Sequence, residues 1–204
     1  MTEILRPPRT ARVLLAILLC SVLAWSATGH AESPATQEIT RSVRRNLERL
    51  PYYGVFDFMA VGFDRGTVTL AGYAYSGDLR TAAQAAVRRT AGDVDIANKL
   101  EVLPASSNDD RIRWATFYRI YTDVFLSRYA PRGVLGARRD LSDMRRFPGM
   151  QPFGAYPIHI IVKHGRTTLL GVVDNASDRQ IAEVRAREVS GVFAVSNELE
   201  ISRR

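Results

Sequence analysis

The chain has 204 residues, 46% of them hydrophobic and 24% charged, which excludes wholesale disorder and leaves room for one large or two small domains. Its 28 Lys and Arg against 21 Asp and Glu give a net charge of +7 and favour anionic partners such as phospholipid headgroups, nucleic acid or acidic polymers. One cysteine and three histidines exclude a disulfide framework and a thiolate metal site.

The N-terminus reads as a targeting segment. Arg6, Arg9 and Arg12 precede an almost wholly apolar run from Val13 to Trp25, and small residues follow, ending at Gly29-His30-Ala31. This order predicts a secretory signal cleaved after Ala31. The apolar run is shorter than the about 20 residues that a spanning helix needs. Cys20 follows Leu19 rather than the small residue that precedes a lipidated cysteine, so it is read as part of the apolar run. Removing residues 1–31 takes away three arginines and one glutamate, which lowers the net charge from +7 to +5. Export makes nucleic acid the less fitting anionic partner.

Next along the chain, Ile39, Val43, Leu47 and Leu50 lie on one side of a predicted helix over 36–50, with arginines on the other side and Pro51 as its stop. Residues 55–63 read as a strand, Asp64-Arg65-Gly66 as a tight turn and 67–74 as the return strand. Ser76 is a candidate cap for an alanine-rich helix that runs to about Thr90, Gly92 ends it, and 94–103 is the last strand. The pattern then recurs. Gly66, Leu70, Gly72, Arg80, Gly92, Asn98 and Leu100 match Gly165, Leu169, Gly171, Arg179, Gly191, Asn197 and Leu199, every pair 99 residues apart. In the second copy Ser177 with Gln180 is read as a capping box.

Each unit is therefore α-β-β-α-β, an α+β class with two helices packed on one face of a three-stranded sheet. Strand parity puts Met59, Val61, Val68 and Leu70 in one core, and Ile158, Ile160, Thr167 and Leu169 in the other. The opposite sheet faces carry Phe56, Phe58 and Ala60, and His159, Ile161 and Leu170, apolar enough to predict contact between the two units.

The doubled Gly-x-apolar-x-Leu-x-Gly strand, followed by a helix and the Gly-x-x-x-apolar-x-Asn-x-Leu segment, resembles the BON domain family. Asp93 and Thr167 depart from its apolar pattern without changing the spacing. The resemblance covers 36–103 and 109–202, with a loop insertion over 130–157. It implies tandem modules like those of osmotically inducible periplasmic proteins. The resemblance further implies modules that are non-catalytic, without cofactor, and that attach to phospholipid surfaces or other envelope components.

The segment 109–129 opens the second unit and mixes Trp114, Phe117, Tyr118 and Tyr121 with Arg111, Arg113, Arg119 and Arg128. Aromatic rings at headgroup depth with flanking arginines suit an anionic bilayer surface. The resemblance points to Trp114 as the exposed aromatic, with Arg111, Arg113 and Tyr118 beside it. The other reading packs Trp114 inside, as expected for Phe117 and Tyr121. The insertion is rich in glycine and proline, with Arg138, Arg139, Arg145 and Arg146 as further candidate lipid or partner contacts. His159 and His164 are too few for a metal site, and no catalytic motif is present. Two functions follow, attachment to anionic phospholipid or a protein-interaction and scaffolding role in the envelope. An enzyme would require a polar cleft between the units.

Overall fold

In the computed structural model, which describes residues 34–131 and 151–202, the first apolar stripe becomes α1 (Pro34–Leu47), with Val43 and Leu47 buried. β1 (Phe58–Asp64) and β2 (Thr67–Ala74) form an antiparallel hairpin. Its turn residues, Arg65 at φ 45° and Gly66 at φ 81°, both take the left-handed conformation that fits the twist of a two-residue hairpin. α2 (Gly77–Ala91) starts at Ser76, whose hydroxyl accepts from the Leu79 amide, and β3 (Asp95–Val102) pairs parallel to β2. The second repeat runs α3 (Ser107–Tyr121), β4 (Ile158–Lys163), β5 (Arg166–Val173), α4 (Ala176–Arg187) and β6 (Ala194–Ile201). The architecture is thus α-β-β-α-β twice, with two three-stranded sheets.

The 99-residue offset is kept in the register. Met59 faces Gly72 as Ile158 faces Gly171, and Leu70 faces Asn98 as Leu169 faces Asn197. The repeated Arg and Asn are explained by a reciprocal clamp. The Asn98 amide donates to the Arg80 carbonyl and the Asn197 amide to the Arg179 carbonyl, at 3.2 and 2.8 Å, while each arginine donates back to its asparagine's carbonyl. The repeated strand glycine is steric. A Cβ on Gly72 or Gly171 would stand 2.2 or 2.1 Å from the carbonyl oxygen of Phe58 or Pro157, and both backbones have φ near 118°, at 117° and 119°.

The expected core residues are all buried. Met59, Val61, Val68 and Leu70 pack with Leu79, Ala83 and Val87, and Ile158, Ile160 and Leu169 pack with Ile112, Phe117 and Ala182. Two expectations are corrected. Ser177 is not the cap of α4. Asn175 caps it, its side chain accepting from the Asp178 amide, and it stands at the position equivalent to Ser76. The first strand begins at Phe58 rather than Val55, because residues 53–57 leave their own sheet for the other repeat.

That departure joins the repeats. The Val55 amide donates to the Pro152 carbonyl at 3.1 Å, and the Gly154 amide donates to the Tyr53 carbonyl at 2.9 Å. The donors are 99 residues apart and so are the acceptors, so the two bonds are related by a local pseudo-two-fold centred on the Gly54–Phe153 bridge. The Ile160 amide then donates to the Val55 carbonyl at 2.8 Å, extending the pairing onto the free edge of β4. Val55 and Phe56 are fully buried in the core of the second repeat, where the Phe56 ring meets Trp114 edge to face at 5.6 Å. The outer sheet faces also meet, with Phe58 against the His159 ring and a Lys163–Glu101 ion pair, while Ala60 stays exposed. Pro34–Arg204 accordingly forms one compact unit.

Truncating Phe56 empties the core of a repeat to which it does not belong in sequence. Phe56→Ala is expected to lower stability by about 3–5 kcal/mol. Urea unfolding of a chain lacking residues 1–31, in which Trp114 is the sole tryptophan, should show one shifted transition rather than loss of the first repeat alone.

Candidate functional site

The junction of the repeats concentrates polar groups that the fold cannot leave unpaired. Asp57 ends the exchanged segment and is fully buried. Its carboxylate accepts from the Gly54 amide at 2.9 Å, the Tyr75 amide at 2.6 Å and the Gln151 amide group at 2.6 Å. Burial dominates and pushes its pKa up to about 6, against the pull of the Tyr75, Gly54 and Gln151 hydrogen bonds and the Arg113 charge. Gln151 is buried as well. Its carbonyl accepts from the Phe56 amide and its NH2 also donates to the Tyr52 carbonyl, so one side chain holds two points of the exchanged segment and the residue before it.

His159 stands across the junction, between the Tyr53 and Phe58 rings. Burial lowers its pKa to about 4, and its Nδ1 has no hydrogen-bond partner among the described residues. A third group is Arg113. Its guanidinium bonds the Asp110 carboxylate and the Val162 carbonyl and lies over the Tyr75 ring, and Tyr75 in turn donates to Asp110 at 3.1 Å. Together with Gln151, Tyr52, Asp78, the Leu103–Ala105 linker and Phe153, the residues Arg113, Asp110 and Tyr75 line a cleft of about 610 Å³ between the repeats.

The residues singled out on α3 do not assemble into a surface patch. Trp114 is 8% exposed and packs against Phe56 and Phe117, and Arg113 is 1% exposed. The expectation that they contact a membrane directly is corrected: the exchanged Phe56 needs an aromatic wall, and Trp114 supplies it. Phe117 and Tyr121 are buried, and Tyr118 is half-buried with its ring 6.1 Å from Trp114. Arg111 is exposed and donates to the Ser190 carbonyl and the Asn108 side chain, so it braces α3 against the end of α4. Arg138, Arg139, Arg145 and Arg146, like the leader over residues 1–31, lie outside the described residues.

Reading the sequence missed Asp57, Asp110, Gln151 and Tyr52. Asp57 carried a signal, since it interrupts the apolar run Val55-Phe56-Asp57-Phe58. Among the described residues no group of His, Cys, Asp and Glu could hold a metal ion, and no helix is long and apolar enough to cross a membrane.

The family model for the BON domain matches residues 35–104 and 144–203. No curated protein matches. Two solved structures similar to this chain are both of CdsD, the structural protein of the type III secretion system of Chlamydia trachomatis, one of them its C-terminal domain. Each is 9% identical, with a TM-score of 0.26, covering 81% of this chain and 98% or 94% of its own. The helix α3 lies before the second matched stretch, yet it packs on β4 and α4 as the outer helix of the second repeat.

The two buried titratable groups give opposite pH dependences. The folded pKa of Asp57 is raised from 3.8 to about 6, so its contribution is full below the lower value and lost as pH rises through the higher one. That of His159 is lowered from 6.5 to about 4, so its contribution is full above 6.5 and lost as pH falls through 4. In the wild type the two slopes largely cancel between them. Asp57→Asn should leave a protein that loses roughly 2–3 kcal/mol on acidification across this window, and His159→Phe one that gains a similar amount. Urea midpoints at a series of pH values check both signs.

Proposed function

Because the chain belongs to the BON domain family, we propose that it is a non-catalytic, exported envelope protein, periplasmic or secreted, that attaches to anionic phospholipid surfaces. The leader pattern of residues 1–31 supports export. The observation that carries the attachment is the unequal use of arginine in the two repeats.

In the second repeat the helical cations are committed internally. Arg119 pairs with Glu188, Arg185 with Asp123 and Glu188, and Arg187 with Glu183, while Arg128 in the turn after α3 pairs with Asp178. In the first repeat Arg41, Arg44 and Arg45 of α1 and Arg88 and Arg89 of α2 are exposed, and none forms an ion pair among the described residues. Cations without such ion pairs on a helix pair remain available to headgroup phosphates, each worth about 1 kcal/mol near an anionic surface. Arg138, Arg139, Arg145 and Arg146 add positive charge elsewhere in the chain. The membrane contact is thus electrostatic and peripheral, without Trp114 as a wedge.

A second reading, a protein-interaction role in the envelope, is favoured by the exposed aromatic pair Tyr52 and Phe153, whose rings meet edge to face at 5.5 Å.

Co-sedimentation with phosphatidylglycerol and phosphatidylcholine vesicles tests the lipid reading. Pelleting should require the anionic lipid and fall steeply with salt. Arg44→Glu with Arg45→Glu should weaken it by roughly thirtyfold or more, since two cations are lost. Trp114→Phe should leave it unchanged. Equal pelleting with neutral vesicles would sink the proposal.

A further inference from the structure

We propose that the cleft between the repeats receives a basic side chain, the guanidinium or ammonium group of an arginine or lysine on a partner polypeptide. The cleft volume of about 610 Å³ lies in the range of sites for small groups. Its charge selects the sign of the occupant. Arg113 is the one cation among its described lining residues, and that charge is committed to Asp110 and the Val162 carbonyl. Asp110 is matched by that cation, and Asp78 at the start of α2 adds a second carboxylate, so the lining carries a surplus of one negative charge within a protein that is basic as a whole. An entering anion would meet the Asp78 carboxylate. A cation would exchange water for charge-assisted hydrogen bonds.

The mouth fits the rest of such a side chain. Tyr52 is 69% exposed and Phe153 is 46% exposed, two large solvent-facing rings that line the same cleft as the carboxylates. Aromatic faces flanking a cation and its alkyl stem are a recurrent recognition arrangement. Tyr52 is also held in a backbone conformation that bulky residues rarely adopt, φ 70°. Strain of that kind persists only where the surroundings enforce it, and they do here. The Tyr52 carbonyl is bound at 3.0 Å by Gln151, a buried side chain that also anchors Asp57. The buried junction therefore fixes the backbone from which an exposed ring is presented at the mouth of an acidic cleft. The site is separate from the arginine face of α1 and α2, and either can be lost without the other.

The test titrates the ¹⁵N-labelled protein with acetyl-Gly-Arg-Gly-amide and acetyl-Gly-Lys-Gly-amide, using acetyl-Gly-Gln-Gly-amide as the uncharged control. The basic peptides should produce saturable amide shifts at Tyr52, Asp78, Asp110 and Phe153 with a Kd of about 1 mM, and the control should bind at least about fivefold more weakly. Asp78→Asn and Tyr52→Ala alter exposed side chains and should each weaken binding about threefold while the rest of the spectrum is retained. Arg44→Glu with Arg45→Glu should leave it unchanged, whatever that variant does to vesicle binding. The proposal is overturned if the control peptide shifts the same amides equally, if no saturable shift appears by about 20 mM, or if the double variant Asp78→Asn with Tyr52→Ala binds as the wild type does.

Discussion

The exchange of residues 53–57 into the second repeat is the constraint on which the rest of the molecule depends. A three-stranded sheet with two helices buries little on its own, and small one-sided modules are marginal. Here the first repeat lends Val55 and Phe56 to its neighbour's core and their backbone to the edge of β4. The exchange closes an exposed strand edge, which would otherwise invite pairing with other chains. It also makes the two repeats one cooperative body, because the second core is complete only when the first repeat supplies its aromatic.

The exchange has polar consequences. A chain that crosses from one core to another carries backbone amides into a dry junction, and each must find a partner. Asp57 and Gln151 meet this need for Gly54, Phe56 and Tyr75. Burying Asp57 opposes its ionisation, and burying His159 nearby opposes its protonation. The junction thus holds an acid and a base whose penalties run in opposite directions with pH. The same network sets the backbone of Tyr52, so the stability of the junction and the shape of the cleft mouth share their causes.

Much of the fold was legible in the sequence because duplication prints each structural rule twice. The 99-residue offset found the turns, the strand glycines and the repeated Arg and Asn whose clamp the structure then shows, and strand parity found both cores. What stayed hidden depends on contacts between the copies. Val55 and Phe56 alternate like strand residues, and nothing local says that their sheet is the other one. Trp114 beside arginines has the composition of a membrane contact, but composition cannot reveal that an aromatic from residue 56 covers it. Ser177 satisfied a capping pattern, yet strict use of the offset from Ser76 leads to Asn175. Asp110 and Tyr52 acquire meaning only when α3 and the exchanged segment meet at the cleft.

The two copies have diverged most in how they use charge. In the second repeat, Asp109 binds the amides of the His164–Gly165 turn at 2.9 Å, Asp178 collects the Tyr129 hydroxyl with Arg128, and Asp123 holds Arg185. These acids are buried, and Asp178 and Asp123 each hold a partly exposed arginine against the repeat. They brace a repeat whose outer helix is separated from its hairpin by a long insertion, whose closure costs only about 1 kcal/mol more than the short connection of the first repeat. The first repeat reaches its hairpin from α1 through a short connection, and its helical arginines stay in solvent. A common skeleton thus has one copy internally braced and the other electrostatically open. The attachment to anionic lipid that we propose would therefore use the open copy.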